Sequence, residues 1–114
     1  MSEDTKIPLH RQHCLADSQL SALTPAASHT LLEQLDGWQI NGEGQLYKPL
    51  RFDNYYQTTA FINAVVWLAH RHDHHPEICF GYRDAQLILS THAVSGLSVN
   101  DFILAAHIDR LSQV

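Results

Sequence analysis

Four of the chain's nine histidines lie within six positions, in the stretch His70-Arg71-His72-Asp73-His74-His75-Pro76-Glu77. Imidazole titrates near neutral pH, so such a cluster can donate and accept protons under ordinary conditions. It can equally hold a metal, or do nothing beyond solvating a helix end. For a metal, His70 and His74 are four residues apart and would share a helix face. A third ligand would then come from Glu77, Cys79 or His92. The chain contains no HExxH, no CxxC and no EF-hand spacing, so no metal is expected there. A second group, His10, His13 and Cys14, also lacks a CxxC partner and reads as part of a polar tail.

Proton transfer asks more of the geometry, and the sequence supplies it. Pro76 disfavours helical backbone at His75, so a helix running into the cluster must stop at or before that residue. His74 would then sit at the negative end of the helix dipole, which favours a protonated imidazole. His75 would turn away from it in extended backbone. The two rings would diverge from one rigid corner. A hairpin after Glu77 would bring His92 back toward the same corner, giving three converging imidazoles.

The elements that must position this corner follow from periodicity. Residues 54–72 repeat apolar side chains at helical spacing: Phe61, Val65 and Leu68, with Ile62, Val66 and Ala69 beside them. Asn54 and Gln57 have capping-box spacing. Thr24 before Pro25 marks an earlier helix start, and Asp36-Gly37 its end. Trp38 and Ile40, a turn at residues 41–44, then Leu46, Leu50 and Phe52 read as a hairpin, with Pro49 at an edge or bulge. "EICFGY" and "AQLILSTH" form a second hairpin, turning at Arg83-Asp84. Ser98 caps a last helix with Asp101 at its third position, and Phe102, Ile103, Ala106 and Leu111 face the core. Trp67 and Tyr82 are expected in the core as well. The order α-β-β-α-β-β-α predicts an α+β layer, a four-stranded antiparallel sheet with helices on one face. Residues 1–22 read as a poorly ordered arm and 23–114 as one domain.

Bulk properties exclude several partners. The formal net charge is −5 without Lys/Arg runs, which argues against nucleic acid and anionic membrane surfaces. No stretch approaches the roughly 20 apolar residues of a membrane span. The start lacks the pattern of a signal peptide, and two cysteines fit a reducing, cytoplasmic setting.

His74-His75-Pro76, Tyr82, His92 and Asp101, in this order and spacing, resemble the signature of the pterin-4a-carbinolamine dehydratases. "LDGWQI", "LYKPLRFDNYYQTTAF" and "STHAVSGLSVNDFILAAHID" extend the likeness over residues 23–111. The resemblance implies the same α+β layer, assembled as a homodimer or homotetramer. It implies dehydration of 4a-hydroxytetrahydropterin to quinonoid dihydropterin, recycling the pterin used in aromatic amino acid hydroxylation, without metal or organic cofactor. His74, His75 and His92 carry over as catalytic: His74 and His92 as acids toward the departing hydroxyl, His75 as base or orienting group. The stretches His74-His75-Pro76 and Thr91-His92-Ala93-Val94 carry over as pterin-contacting. Asp101 is expected as a support. His70 stands where many members carry an acidic residue that could raise the pKa of His74. A non-catalytic pterin-binding or assembly factor on the same fold is the alternative.

Overall fold

A computed structural model describes residues 7–111. Its elements are α1 (Pro25–Leu32), β1 (Gln39–Ile40), β2 (Leu46–Arg51), α2 (Tyr55–His72), β3 (Glu77–Phe80), β4 (Asp84–Leu89) and α3 (Val99–Asp109). The expected α-β-β-α-β-β-α order is present. The four strands form one antiparallel sheet in the order β1-β2-β4-β3. Period-two burial along β4 puts Ala85, Leu87 and Leu89 into the core while Gln86 stays exposed. Those residues meet Phe61, Ile62 and Val65 of α2 and Phe102, Ile103 and Ala106 of α3 in one apolar cluster.

Local chemistry fixes the ends. Thr24 accepts the Ala27 N–H at 3.1 Å, and Pro25 opens α1. Asn54 accepts the Gln57 N–H at 2.9 Å at the head of α2. Ser98 and Asp101 form a complete capping box on α3. Pro49 is tolerated because β1 pairs only with Leu46 and Tyr47, so β2 is an edge on that side where the proline lies. Asp109, at the far end of α3, accepts from Asp36 N–H, Trp38 Nε1–H and Lys48 Nζ, tying α3 to the first hairpin.

Four expectations need correction. Residues 7–20 are not a loose arm. Leu9 is 1% exposed and belongs to the core, and Cys14 is buried beside it. This segment covers the flank of α3 that the sheet leaves open, so Asn100 to Ala106 is buried without a break. Residues 1–6, the rest of the expected arm, lie outside the described residues. Trp67 and Tyr82 are not core residues: they are 62% and 69% exposed. Trp67 lies on the outer face of α2, as does Val66, and Tyr82 lies in the β3–β4 turn, where its ring stacks on Tyr55. That turn is Gly81-Tyr82-Arg83, closed by the Gly81 N–H to Asp84 carbonyl bond. Asp84 already pairs with Arg51 in the ladder. The last strand stops at Leu89, and His92–Val94 forms a 3-10 turn bridged by Thr91 and Gly96.

Candidate active site

α2 ends three residues earlier than Pro76 requires. Asp73 adopts left-handed backbone at φ 51°, its N–H bonds the His70 carbonyl, and the His74 N–H reaches back to the Ala69 carbonyl. This is a Schellman closure with aspartate where glycine is usual, a residue that tolerates this conformation better than most. The left-handed step splits the two histidines. His74 turns inward and is 7% exposed, whereas His75 stays exposed.

Beneath His74 lies a buried polar chain whose hydrogen directions are determined. The Asn100 N–H donates to Ser98 Oγ at 3.2 Å. Thr91 Oγ1 donates to Asp101 Oδ2 at 2.7 Å, so the 2.6 Å contact between Thr91 and Ser98 uses the Ser98 hydrogen. The Ser98 N–H also donates to Asp101 Oδ2, at 3.0 Å. The other carboxylate oxygen, Oδ1, lies 2.7 Å from His74 Nε2. A carboxylate only accepts, so Nε2 carries the proton there and Nδ1 is the nitrogen left to exchange one. Asp101 is wholly buried and its carboxylate accepts these three hydrogen bonds, and no buried side-chain polar atom among the described residues lacks a partner.

His74, His75, Thr91, His92 and Ala93 line one open cleft of about 200 Å³, with Asp17, Asp73 and Ser90. The three histidines expected to converge therefore do. Pro76 follows His75 directly, half-buried, and Val94 ends the 3-10 turn behind the cleft; neither is part of its wall. His70 is exposed one turn back on α2, where its ring packs on Trp67 at 5.4 Å between centroids, away from the cleft wall. No group of three or more His, Cys, Asp or Glu with metal-binding geometry occurs among the described residues.

A second set of imidazoles escaped sequence reasoning. His72 lies between His13 and His107, with ring centroids 4.4 Å from each. Its Nδ1 accepts the Cys14 N–H at 3.2 Å, and His107 Nε2–H donates to the Gln12 carbonyl at 2.7 Å. Burial first, then the neighbouring His107, His13, Arg71 and His74, push the His72 pKa down to about 4. Burial and the Asp101 charge push the Cys14 thiol up to about 12. Ile7, Leu9, Cys14, Leu15 and Leu20 are spaced too irregularly to carry a period, so nothing in the segment signalled this packing. Asp17 reaches the cleft from the same segment.

Comparison with known proteins agrees with this architecture. Residues 21–111 match the family model described as pterin 4 alpha carbinolamine dehydratase. A Hydrogenovibrio crunogenus protein named "Putative pterin-4-alpha-carbinolamine dehydratase" is 46% identical over 94% of this chain and 96% of its own length. A Nitrosospira multiformis protein of the same name is 55% identical over 74% of each chain. Among solved structures, a transcriptional coactivator/pterin dehydratase from Brucella melitensis superposes with a TM-score of 0.73 at 27% identity, covering 77% of this chain and 95% of that one. A pterin dehydratase-like protein identified as a RuBisCO assembly factor in the alpha-carboxysome gives 0.55 at 30% identity, over 65% and 87%.

Proposed function

The chain belongs to the pterin 4 alpha carbinolamine dehydratase family, and from that membership and the cleft we propose that it dehydrates 4a-hydroxytetrahydropterin by histidine acid–base catalysis. The observation that carries the reading is the convergence of His74, His75 and His92 on one cleft, with His74 backed by the buried Asp101. In the reaction the C4a–O bond breaks, the hydroxyl leaves as water after taking a proton, and the N5 proton goes to a base. The electron pair of the N5–H bond becomes part of the C4a=N5 double bond of quinonoid dihydropterin. His74 and His92 supply the proton to the departing hydroxyl. The Asp101 carboxylate stabilises the imidazolium form of His74, so the proton it gives up is held at Nδ1. His75, on the exposed side, orients the ring or takes the N5 proton. Backbone at His74–His75 and Thr91–Ala93 frames the flat heterocycle.

The same reading includes a cytoplasmic protein and a homodimer or homotetramer. Two free cysteines among the described residues suit the first, and the exposed Trp67 and Phe80 faces suit the second. No helix among the described residues is long and apolar enough to cross a membrane. The test is a stopped-flow assay of carbinolamine dehydration against the spontaneous rate. His75→Ala and His92→Ala, both at exposed positions, should fold normally and slow turnover by about 10²-fold or more. Unchanged rates in both would make a non-catalytic pterin-binding or assembly role the better reading; one structural neighbour is a RuBisCO assembly factor.

A further inference from the structure

Two carboxylates share the cleft with the three histidines, those of Asp17 and Asp73. No lysine or arginine among the described residues lines it, so negative charge is the fixed charge of its wall. Asp73 stands there of necessity, because it is the left-handed residue that closes α2. Asp17 comes from a distant part of the chain, and buried polar groups bring it in. Asn100 is 1% exposed, and its amide clasps the backbone of Leu15 at both polar groups. The Leu15 N–H donates to Oδ1 at 2.8 Å, and Nδ2–H donates to the Leu15 carbonyl at 2.9 Å. Just before it, the Cys14 N–H bonds His72 Nδ1. Just after it, the Leu20 N–H bonds the Asp17 carbonyl at 3.1 Å and closes a 3-10 turn over Asp17–Gln19. The Asp17 backbone is thus held on both sides, while its side chain makes no hydrogen bond or ion pair among the described residues. Asn100 and Asp101 are neighbours in the first turn of α3. One turn of helix therefore places Asp17 through Asn100 and His74 through Asp101.

We propose that Asp17 is a further catalytic residue, whose carboxylate faces the bound ring and stabilises the positive charge that the ring carries as its hydroxyl leaves. The proposal rests on the dehydratase reading above and deepens it. The need follows from how charge moves. An imidazolium gives its proton to the hydroxyl, the C4a–O bond breaks, and the electron pair of that bond leaves with the water. The ring is left as an iminium, with one positive charge shared by C4a and N5. That charge is lost when a base takes the N5 proton and the N5–H pair is released to the ring. Positive charge therefore passes from an imidazole into the heterocycle and out again to a base. A negative group fixed beside the ring gives little to the neutral carbinolamine and most to the charged species, which is the condition for raising the rate of the chemical step. An aspartate open to water is ionised at neutral pH, and Asp17 is exposed at the rim of the cleft. His75 and Asp73 stand at the same rim, since all three also line an adjoining space of about 480 Å³. Asp17 thus approaches from the side of His75, where the reading above puts the group that orients the ring or takes the N5 proton.

The experiment measures kcat and KM for carbinolamine dehydration by stopped flow, with urea unfolding alongside. The full chain is used in four forms: wild type, Asp17→Asn, Asp17→Glu, and Asp17→Asn combined with Ser18→Asp. Ser18 is exposed next to Asp17 and does not line the cleft, so the combined variant keeps the net charge and moves it out of the site. Asp17→Asn should lower kcat about 10-fold with KM within twofold, the size expected of one charge acting across a site open to water. Asp17→Glu should keep kcat within threefold of wild type, and the combined variant should stay as slow as Asp17→Asn. The urea midpoints of all four should agree. Unchanged kcat in Asp17→Asn, a rise in KM alone, or recovery by the Ser18→Asp charge would each overturn the role and leave the dehydratase standing. So would a loss in Asp17→Glu as large as in Asp17→Asn, or a fall in kcat that tracks a fall in urea midpoint. A wild-type protein no faster than the spontaneous reaction would overturn the dehydratase reading, and the role of Asp17 with it.

Discussion

Asp101→Asn changes one atom and should separate the fold from the chemistry. The amide has two possible orientations, and the Ser98 N–H chooses between them. It is a fixed donor aimed at Oδ2 from 3.0 Å. An NH2 group facing it would set donor against donor, so the amide oxygen takes that side and continues to accept from Ser98 and Thr91. The NH2 group then faces His74 Nε2 across the space now spanned by a 2.7 Å bond. His74 must accept there, so its proton moves to Nδ1 and the imidazolium form has no place. A neutral Nδ1–H ring is a very weak acid and offers no acceptor to the cleft. Loss of the charge from three hydrogen bonds should cost about 1–3 kcal/mol of stability, since charged partners strengthen a bond by roughly a factor of two. The dehydration rate should fall by about 10²–10³-fold with its pH profile flattened, because proton transfer by one positioned group contributes about that much. Stopped-flow rates from pH 6 to 9, urea unfolding, and nitrogen-detected NMR of the His74 ring are the assays. A variant that is folded, shows the proton on Nδ1 and still turns over within twofold of wild type would refute any role of His74 in proton transfer. Asp101 is in this sense a positioning residue, acting through His74.

Three further outcomes follow from the same contacts. Leu9→Ala should lower stability by about 2–4 kcal/mol in urea unfolding, the cost of a cavity at a fully buried leucine; a change under 0.5 kcal/mol would mean that residues 7–20 are not docked. His72 is protonated near 6.5 in the unfolded chain but only near 4 in the folded one. Its contribution is therefore complete above pH 6.5, is lost as pH falls through that window, and stops changing below about 4. The ceiling is about 3 kcal/mol, and the ring's edge on a solvent-open cavity reduces the expected loss to about 1–2 kcal/mol. His72→Gln, which can still accept the Cys14 N–H, should show a shallower acid limb by that amount, and an identical limb would count against it. Iodoacetamide at pH 8 should label the exposed Cys79 and spare Cys14, whose thiol is buried and held protonated; equal labelling of both by mass spectrometry would contradict the packing around Cys14.

The elements were legible where apolar spacing was dense. Phe61 and Val65 on α2 and Ala85, Leu87 and Leu89 on β4 repeat at periods that admit one reading each. The caps at Thr24, Asn54 and Ser98 were legible because a short polar side chain before an apolar run has one efficient use. What stayed hidden depended on contacts between distant segments. Leu9 stands among irregularly spaced apolar residues, and only the open flank of α3 explains its burial. Trp67 and Tyr82 look like core residues by type, but α2 is wide enough to bury Val65 on one side and leave Trp67 outside. The cleft's histidines were legible from Pro76 and the hairpin length. The route from His74 through Asp101 to Thr91 was legible only in part: Asp101 reads as a helix cap and, by resemblance, as a support, but its bonds to His74 and Thr91 depend on contacts between separate segments.

That double use of one carboxylate has a consequence for reading lineages. Asp101 closes the first turn of α3 through the Ser98 N–H and holds His74 through its other oxygen. A descendant that abandons catalysis would still lose its helix start if it lost this aspartate, so selection for folding alone would preserve it. Retention of an aspartate here is therefore silent about activity across the family. His75 and His92, exposed and free of structural duty, are the positions at which drift would first record that the chemistry had been given up.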